Sequence, residues 1–161
     1  MFRNLVLICS FLLSCLVTAQ TSHRNLSTEN WTFNKQNDSQ KYNATIPGTV
    51  HTDLFQNKVI PDPFFGANEK ELQWIENENW EYETNFSLTT SEFKNQNIDL
   101  EFDGLDTYAT VYLNGIVILE ADNMFRKWTV SVKSNLKKEN NHLKIVFHSA
   151  VQKGKDEAKK I

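Results

Sequence analysis

Along most of this chain apolar and polar residues alternate with a period of two. In residues 80–88, Trp80, Tyr82, Thr84, Phe86 and Leu88 fall on one face, and Glu81, Glu83, Asn85 and Ser87 on the other. That is the pattern of a β-strand with one buried and one wet face. Ile98, Leu100 and Phe102 alternate with Asp99 and Glu101, and Ala109, Val111 and Leu113 with Tyr108, Thr110 and Tyr112. Trp128, Val130 and Val132 repeat the pattern, as do Leu143, Ile145 and Phe147. Trp31-Thr32-Phe33 and Tyr42-Asn43-Ala44-Thr45-Ile46 are shorter runs of the same kind. Asn114-Gly115 stands between two apolar runs and predicts a two-residue hairpin. The favoured turn needs φ > 0 at both central positions, which Asn and Gly tolerate best.

Helical periodicity is scarce. In the first half only residues 49–56 read as a helical turn, with Thr49 as cap and Val50, Leu54 and Phe55 on one face. In Val59-Ile60-Pro61-Asp62-Pro63-Phe64-Phe65-Gly66 the two closely spaced prolines forbid regular structure, and the apolar residues are expected to lie flat against the domain. Residues 68–79 read as a Glu-rich loop carrying Leu72 and Trp74. Seven to nine short strands with turn signals between them predict an all-β fold, an antiparallel β-sandwich of jelly-roll type. The expected division is residues 1–19 as signal peptide, 20–30 as extended lead-in, 31–150 as sandwich, and 151–161 as a charged helical tail or linker.

The signal-peptide reading rests on Arg3, an apolar run over residues 5–17, and Val17-Thr18-Ala19 before Gln20. The run is too short to cross a bilayer core, so no membrane attachment is expected after cleavage. A competing reading takes Leu12-Leu13-Ser14-Cys15 as a bacterial lipobox with Cys15 lipidated, against which stand the apolar Leu16-Val17 that follow. Both cysteines, Cys9 and Cys15, lie in this segment, so a mature chain beginning at Gln20 uses no disulfide and depends on its core. Cleavage removes Arg3 and no acid, taking 17 positive residues to 16 against 20 negative. A mildly acidic chain without a basic cluster argues against nucleic acid as a partner. About 140 residues suffice for one domain, but not for a barrel enzyme of about 250.

Candidate chemistry narrows further. Glu69, Glu71, Glu76, Glu78, Glu81 and Glu83 crowd one loop and one strand. Glycoside hydrolysis needs two carboxylates facing across a bond, whereas this spacing suits solvation. His23, His51, His142 and His148 share no metal-ligand spacing, so no metal is expected. No Gly-x-Ser-x-Gly elbow or phosphate-cradling glycine loop appears, and no cofactor is expected. Trp80 and Trp128 sit on the apolar sides of their strands and read as core; Trp74, in a polar loop, is the aromatic candidate for ligand contact. Asn25, Asn30, Asn37, Asn43 and Asn85 each open an Asn-x-Ser/Thr sequon, meaningful in a eukaryotic secretory route.

Several of these stretches occur together in one order. Pro47-Gly48-Thr49-Val50-His51-Thr52-Asp53-Leu54, Ile60-Pro61-Asp62-Pro63-Phe64-Phe65-Gly66, Gln73-Trp74-Ile75 and Trp80-Glu81-Tyr82 come first. Phe102-Asp103-Gly104-Leu105-Asp106-Thr107-Tyr108, Leu113-Asn114-Gly115 and Asp122-Asn123-Met124-Phe125 with Trp128 follow. The set resembles the N-terminal domain of β-mannosidases of glycoside hydrolase family 2, over roughly residues 31–148.

The resemblance implies a galactose-binding-like jelly roll at the head of an exo-acting retaining hydrolase that releases terminal β-mannose. It places the family's catalytic glutamates in a barrel beyond Ile161, so no catalytic residue is assigned to this chain. Such a domain would pack against the enzyme's remaining domains and help wall the pocket for a β-mannoside or manno-oligosaccharide, with Asn68, Glu69 and Trp74 as candidates for substrate contact. The alternative is an independent, non-catalytic carbohydrate-binding module. A domain parted from its neighbours would expose an apolar patch around Phe64-Phe65. Export implies periplasm or medium in a bacterium, and lysosome or medium in a eukaryote.

Overall fold

The computed structural model describes residues 21–160; the expected signal segment, with its cleavage and lipidation readings, lies outside them. Among the described residues eight strands carry the fold: β1 (Trp31–Lys35), β2 (Tyr42–Ala44), β3 (Trp80–Phe86), β4 (Asp99–Phe102), β5 (Tyr108–Leu113), β6 (Ile116–Ala121), β7 (Trp128–Ser131) and β8 (Asn141–His148). Six form one sheet in the order β2-β1-β3-β8-β5-β6, and β4 pairs with β7 in a second. Every pairing is antiparallel.

Register explains which side chains are inside. Phe33 lies opposite Tyr82, Tyr82 opposite Ile145, Ile145 opposite Val111, and Val111 opposite Leu119. All but the partly buried Leu119 are buried, so one row crosses the inner face of the large sheet. Phe33 is its aromatic centre, with ring centroids 5.3 Å from Tyr82, 5.8 Å from Tyr42 and 6.0 Å from Trp80. Truncating such a ring to Ala costs about 3–5 kcal/mol. Leu100 and Phe102 on β4, and Val130 and Trp128 on β7, pack on this core from the second sheet. Leu54, Ile60, Leu72 and Ile75, from the segment between β2 and β3, join the same core.

The Asn114-Gly115 hairpin forms as predicted, with φ of 54° and 83° at its two central residues. Its base is tied down by side chains. Asn114 donates to Asn135 O at 2.7 Å and to Asn141 Oδ1 at 3.0 Å, and accepts from His142 N–H. Asn141, fully buried, also accepts from Lys137 N–H and donates to Lys137 O.

Helix α1 (Val50–Gln56) opens on a capping box between Thr49 and Thr52. Gly48 before it is required by space, since a Cβ there would sit 2.3 Å from Thr45 O. Helix is less scarce than periodicity suggests: α2 (Asn68–Glu71), α3 (Thr90–Lys94) and α4 (Ala150–Ala158) occupy polar connections, with 3-10 turns at Leu26–Thr28 and Ile75–Asn77. These segments are too short to show an apolar stripe, but α3 carries a reciprocal Thr89–Glu92 capping box.

Two expectations are corrected. Residues 59–66 do not lie flat, for Ile60 is buried while Phe64 and Phe65 are 96% and 74% exposed. Polar bonds close that turn: Asp62 Oδ1 accepts from Phe64 N–H, and Asn68 donates to Asp62 O. Trp128 is half-buried rather than core; its ring lies under the Arg126 guanidinium at 4.0 Å and its Nε1 donates to Asn123 O.

Candidate functional site

Register also sorts the loops. Lys35 pairs with Trp80, Trp80 with Phe147, Phe147 with Ala109, and Ala109 with Ala121. The starts of β3 and β5 and the ends of β8 and β6 therefore lie at one end of the large sheet. The β1–β2 turn (36–41) lies there with the loops of residues 57–79, 103–107 and 122–127, and α4 departs from the same end. Their side chains include Phe64, Phe65, Trp74, Met124 and Phe125, of which Phe125 is 90% exposed. Monomeric soluble domains rarely leave so many aromatics in water at one end, and such patches mark interaction surfaces.

The candidate substrate residues all come from the first of these loops. Asn68 gives its amide to Asp62 O at 2.8 Å, which makes it a brace of the loop. Glu69 is exposed on α2. Trp74 is 41% exposed, tilted against Trp80 with ring centroids 6.0 Å apart. It borders a recess of about 110 Å³ lined by Lys35, Asp38, Tyr42, Leu54, Val59 and Trp80.

Between α1 and β3 lies a buried acid that the sequence pattern hides. Asp53 is fully buried, accepting from Thr45 N–H and from Tyr82 O–H, both at 3.0 Å. Burial pushes its carboxyl above the ordinary range, and the two hydrogen bonds oppose that shift. Tyr82 is raised as well, by burial first and then by the charge of Asp53. An acid in the first turn of a helix reads as a dipole partner; its burial depends on Tyr82, which is distant in sequence.

A second concavity was equally invisible in the sequence, because its lining comes from three strands and a helix. Tyr108, Thr110, Glu120, Asp122, His148 and Lys153 surround about 280 Å³ of open space. His148 Nε2 lies 2.8 Å from Thr110 Oγ1. Burial, then the Lys153 charge, lowers the His148 pKa against the pull of Glu120.

The two acids of β3 are paired on the outer face. Glu81 faces Lys144 at 3.6 Å, and Glu83 holds Lys41 and, at 3.0 Å, His142 Nε2. Burial would raise Glu83, but Lys41 and His142 outweigh it and keep its carboxyl below the usual range. His51 is exposed on α1. Among the described residues no three His, Cys, Asp or Glu side chains converge on a metal-sized site.

A thin antiparallel sandwich with its exposed aromatics gathered on the loops of one end matches a known domain class. Over residues 31–161 the chain fits the glycosyl hydrolase 2 galactose-binding domain-like family, and it belongs to that family. Similar proteins include several β-mannosidases. The chain is 38% identical over 122 residues to the rat β-mannosidase, covering 76% of this chain and 14% of that enzyme. It is 43% identical over 129 residues to β-mannosidase B of Thermothelomyces thermophilus, covering 78% of this chain and 15% of that enzyme. The crystal structure of a β-D-mannosidase from Dictyoglomus thermophilum superposes with a TM-score of 0.81 at 40% identity, over 84% of this chain and 17% of that one. The chain is therefore homologous to the N-terminal domain of these enzymes and spans a small fraction of their length.

Proposed function

We propose that this chain is the non-catalytic N-terminal domain of an exported, exo-acting retaining β-mannosidase, which releases β-D-mannose from the non-reducing ends of β-mannosides. The observation that carries the reading is the loop end, where Phe64, Phe65 and Phe125 stand in solvent on a domain whose relatives are several times longer. The remaining domains of the enzyme are the partner received there. The loop with Glu69 and Trp74, braced by Asn68, then walls the pocket for a β-mannoside or manno-oligosaccharide.

The paired acids support a non-catalytic role. A retaining glycosidase holds two carboxyls about 5–5.5 Å apart across the scissile bond. Glu81 and Glu83 instead share the outer face of β3, each engaged by cations. Hydrolysis of an aryl β-mannoside tests the reading. Residues 1–161 should give no turnover, whereas a longer polypeptide bearing this domain ahead of a barrel should. Turnover by the short chain overturns it.

The recess beside Trp74 favours one second reading, an independent carbohydrate-binding module. Saturable binding of mannose or manno-oligosaccharides to the short chain, lost in Trp74→Ala, would select it.

A further inference from the structure

We infer that Ser149 is the positioning residue of the Trp74 loop. It locks that loop to the helix by which the chain leaves the large sheet, a role that rests on the reading of Trp74 as pocket wall. Ahead of α4, Ser149 is a helix cap in the ordinary sense, its Oγ accepting from Gln152 N–H at 3.1 Å. A cap uses the hydroxyl only as acceptor, which leaves its proton to be donated elsewhere. That proton goes to Glu76 O at 2.5 Å, two residues past Trp74. One buried side chain therefore closes α4 and holds the Ile75–Asn77 turn. The backbone of Ser149 adds a second tie, its N–H donating to Asn79 Oδ1 at 2.8 Å. Asn79 is braced in turn, since its Nδ2 donates to Gln36 Oε1 at 2.9 Å and its carbonyl accepts from Gln36 N–H at 2.8 Å. Gln152 reaches Asn77 Oδ1 at 3.3 Å.

Direction is what these bonds supply. Leu72 and Ile75 are buried and fix how deep the loop sits, but apolar burial has no preferred orientation. Trp74 leans on Trp80, whose Nε1 donates to Ile75 O at 3.1 Å. The turn after Trp74 thus hangs from two successive carbonyls, Ile75 O on the core tryptophan and Glu76 O on Ser149. Releasing the second lets the turn swing about the first and carries the Trp74 ring off the rim of its recess. The exit helix and the aromatic proposed to meet sugar share one hydroxyl.

Exchange of amide hydrogens in residues 1–161 tests the clamp. Ile75, Asn77 and Glu78 donate to Leu72 O, Trp74 O and Ile75 O, so their amides report the turn. Gly is tolerated at a cap almost as well as Ser, so Ser149→Gly removes the clamp and spares α4. That variant and Ser149→Ala should each speed the three amides about tenfold, the worth of one hydrogen bond. The near-ultraviolet circular dichroism that Trp74→Phe removes should weaken in parallel. Thr89→Ala, which deletes the cap of α3 at the opposite end of the sheet, should leave both signals unchanged. Gln152→Ala, on the surface, releases only Asn77 and should speed the same amides about twofold, so the clamp is still read if both Ser149 variants unfold. In a longer polypeptide bearing a barrel, Ser149→Gly should raise KM for an aryl β-mannoside several-fold, more than it lowers kcat. Unmoved amides, an equal rise in Thr89→Ala, or an active longer enzyme with unmoved KM would overturn the inference. A longer polypeptide without turnover instead fails the β-mannosidase reading and leaves the exchange result standing.

Discussion

Replacing Asp53 by Ala is the sharpest single test of how α1 is tied to the large sheet. The substitution strands the buried Tyr82 O–H and the part-buried Thr45 N–H, and opens space beside Leu54. Each unsatisfied donor costs about 1–3 kcal/mol, so Asp53→Ala should lose about 3–5 kcal/mol. At roughly 3 °C per kcal/mol for a domain of this size, the melting temperature should fall by about 10–15 °C. Tyr82→Phe removes one of the two bonds and should cost about 1.5–3 kcal/mol. Because the pair is in contact, the double variant should cost about 1–2 kcal/mol less than the two singles summed.

The same residue makes a pH prediction. Burial raises its pKa in the folded state. The folded chain therefore holds the proton more tightly, and the associated stability is present below the unfolded value and lost as pH rises through the folded one. Asp53→Asn keeps an acceptor and a hydrogen bond to Tyr82 but cannot titrate. Wild-type stability minus that of Asp53→Asn should thus fall as pH rises from about 4. Urea melts of all four variants between acid and neutral pH provide the data. A cost under about 1 kcal/mol for Asp53→Ala, with additive singles, would refute the role given to this network.

Glu83 should behave with the opposite sign. Its carboxyl is held low by Lys41 and His142, so its contribution is present above the unfolded value and lost as pH falls through the folded one. Glu83→Gln should cost about 1 kcal/mol at neutral pH in urea melts, discounted for the exposed Lys41, and the gap should narrow as pH falls below the ordinary carboxylate range. Thr49→Ala should cost about 1 kcal/mol by loss of the α1 cap, measured by thermal melting. Phe64→Asp with Phe125→Asp should change stability by less than about 0.5 kcal/mol while lowering dye binding and self-association of the short chain. A loss beyond about 1 kcal/mol would mean that these rings pack.

The strands were legible because burial on one face writes itself as period two: β3 runs buried, intermediate, buried just as its residues alternate. The Asn-Gly hairpin was legible because few residues accept its dihedrals. Phe64 and Phe65 misled because hydrophobicity says what water rejects, not where a turn closed by Asp62 and Asn68 points its side chains. Asp53 and the Glu120–Asp122–His148 hollow were hidden for another reason. Each exists only after distant strands align, and no window along the chain contains its parts. The Thr89–Glu92 cap of α3 is different, since that local signal was available.

The strand order carries one further consequence, for synthesis. β8 is last in sequence yet sits between β3 and β5, joining β2-β1-β3 to β5-β6. At 5–20 residues per second, β3 waits about 3–11 s for its neighbour to leave the ribosome. Until then the nascent chain has two half-sheets with unpaired edges and a divided core, and pairings this distant close slowly. Completion of β8 therefore acts as the commitment step. A chain stopped before Asn141 would be two adhesive fragments rather than a smaller domain, whereas one stopped in α4 would already own its core.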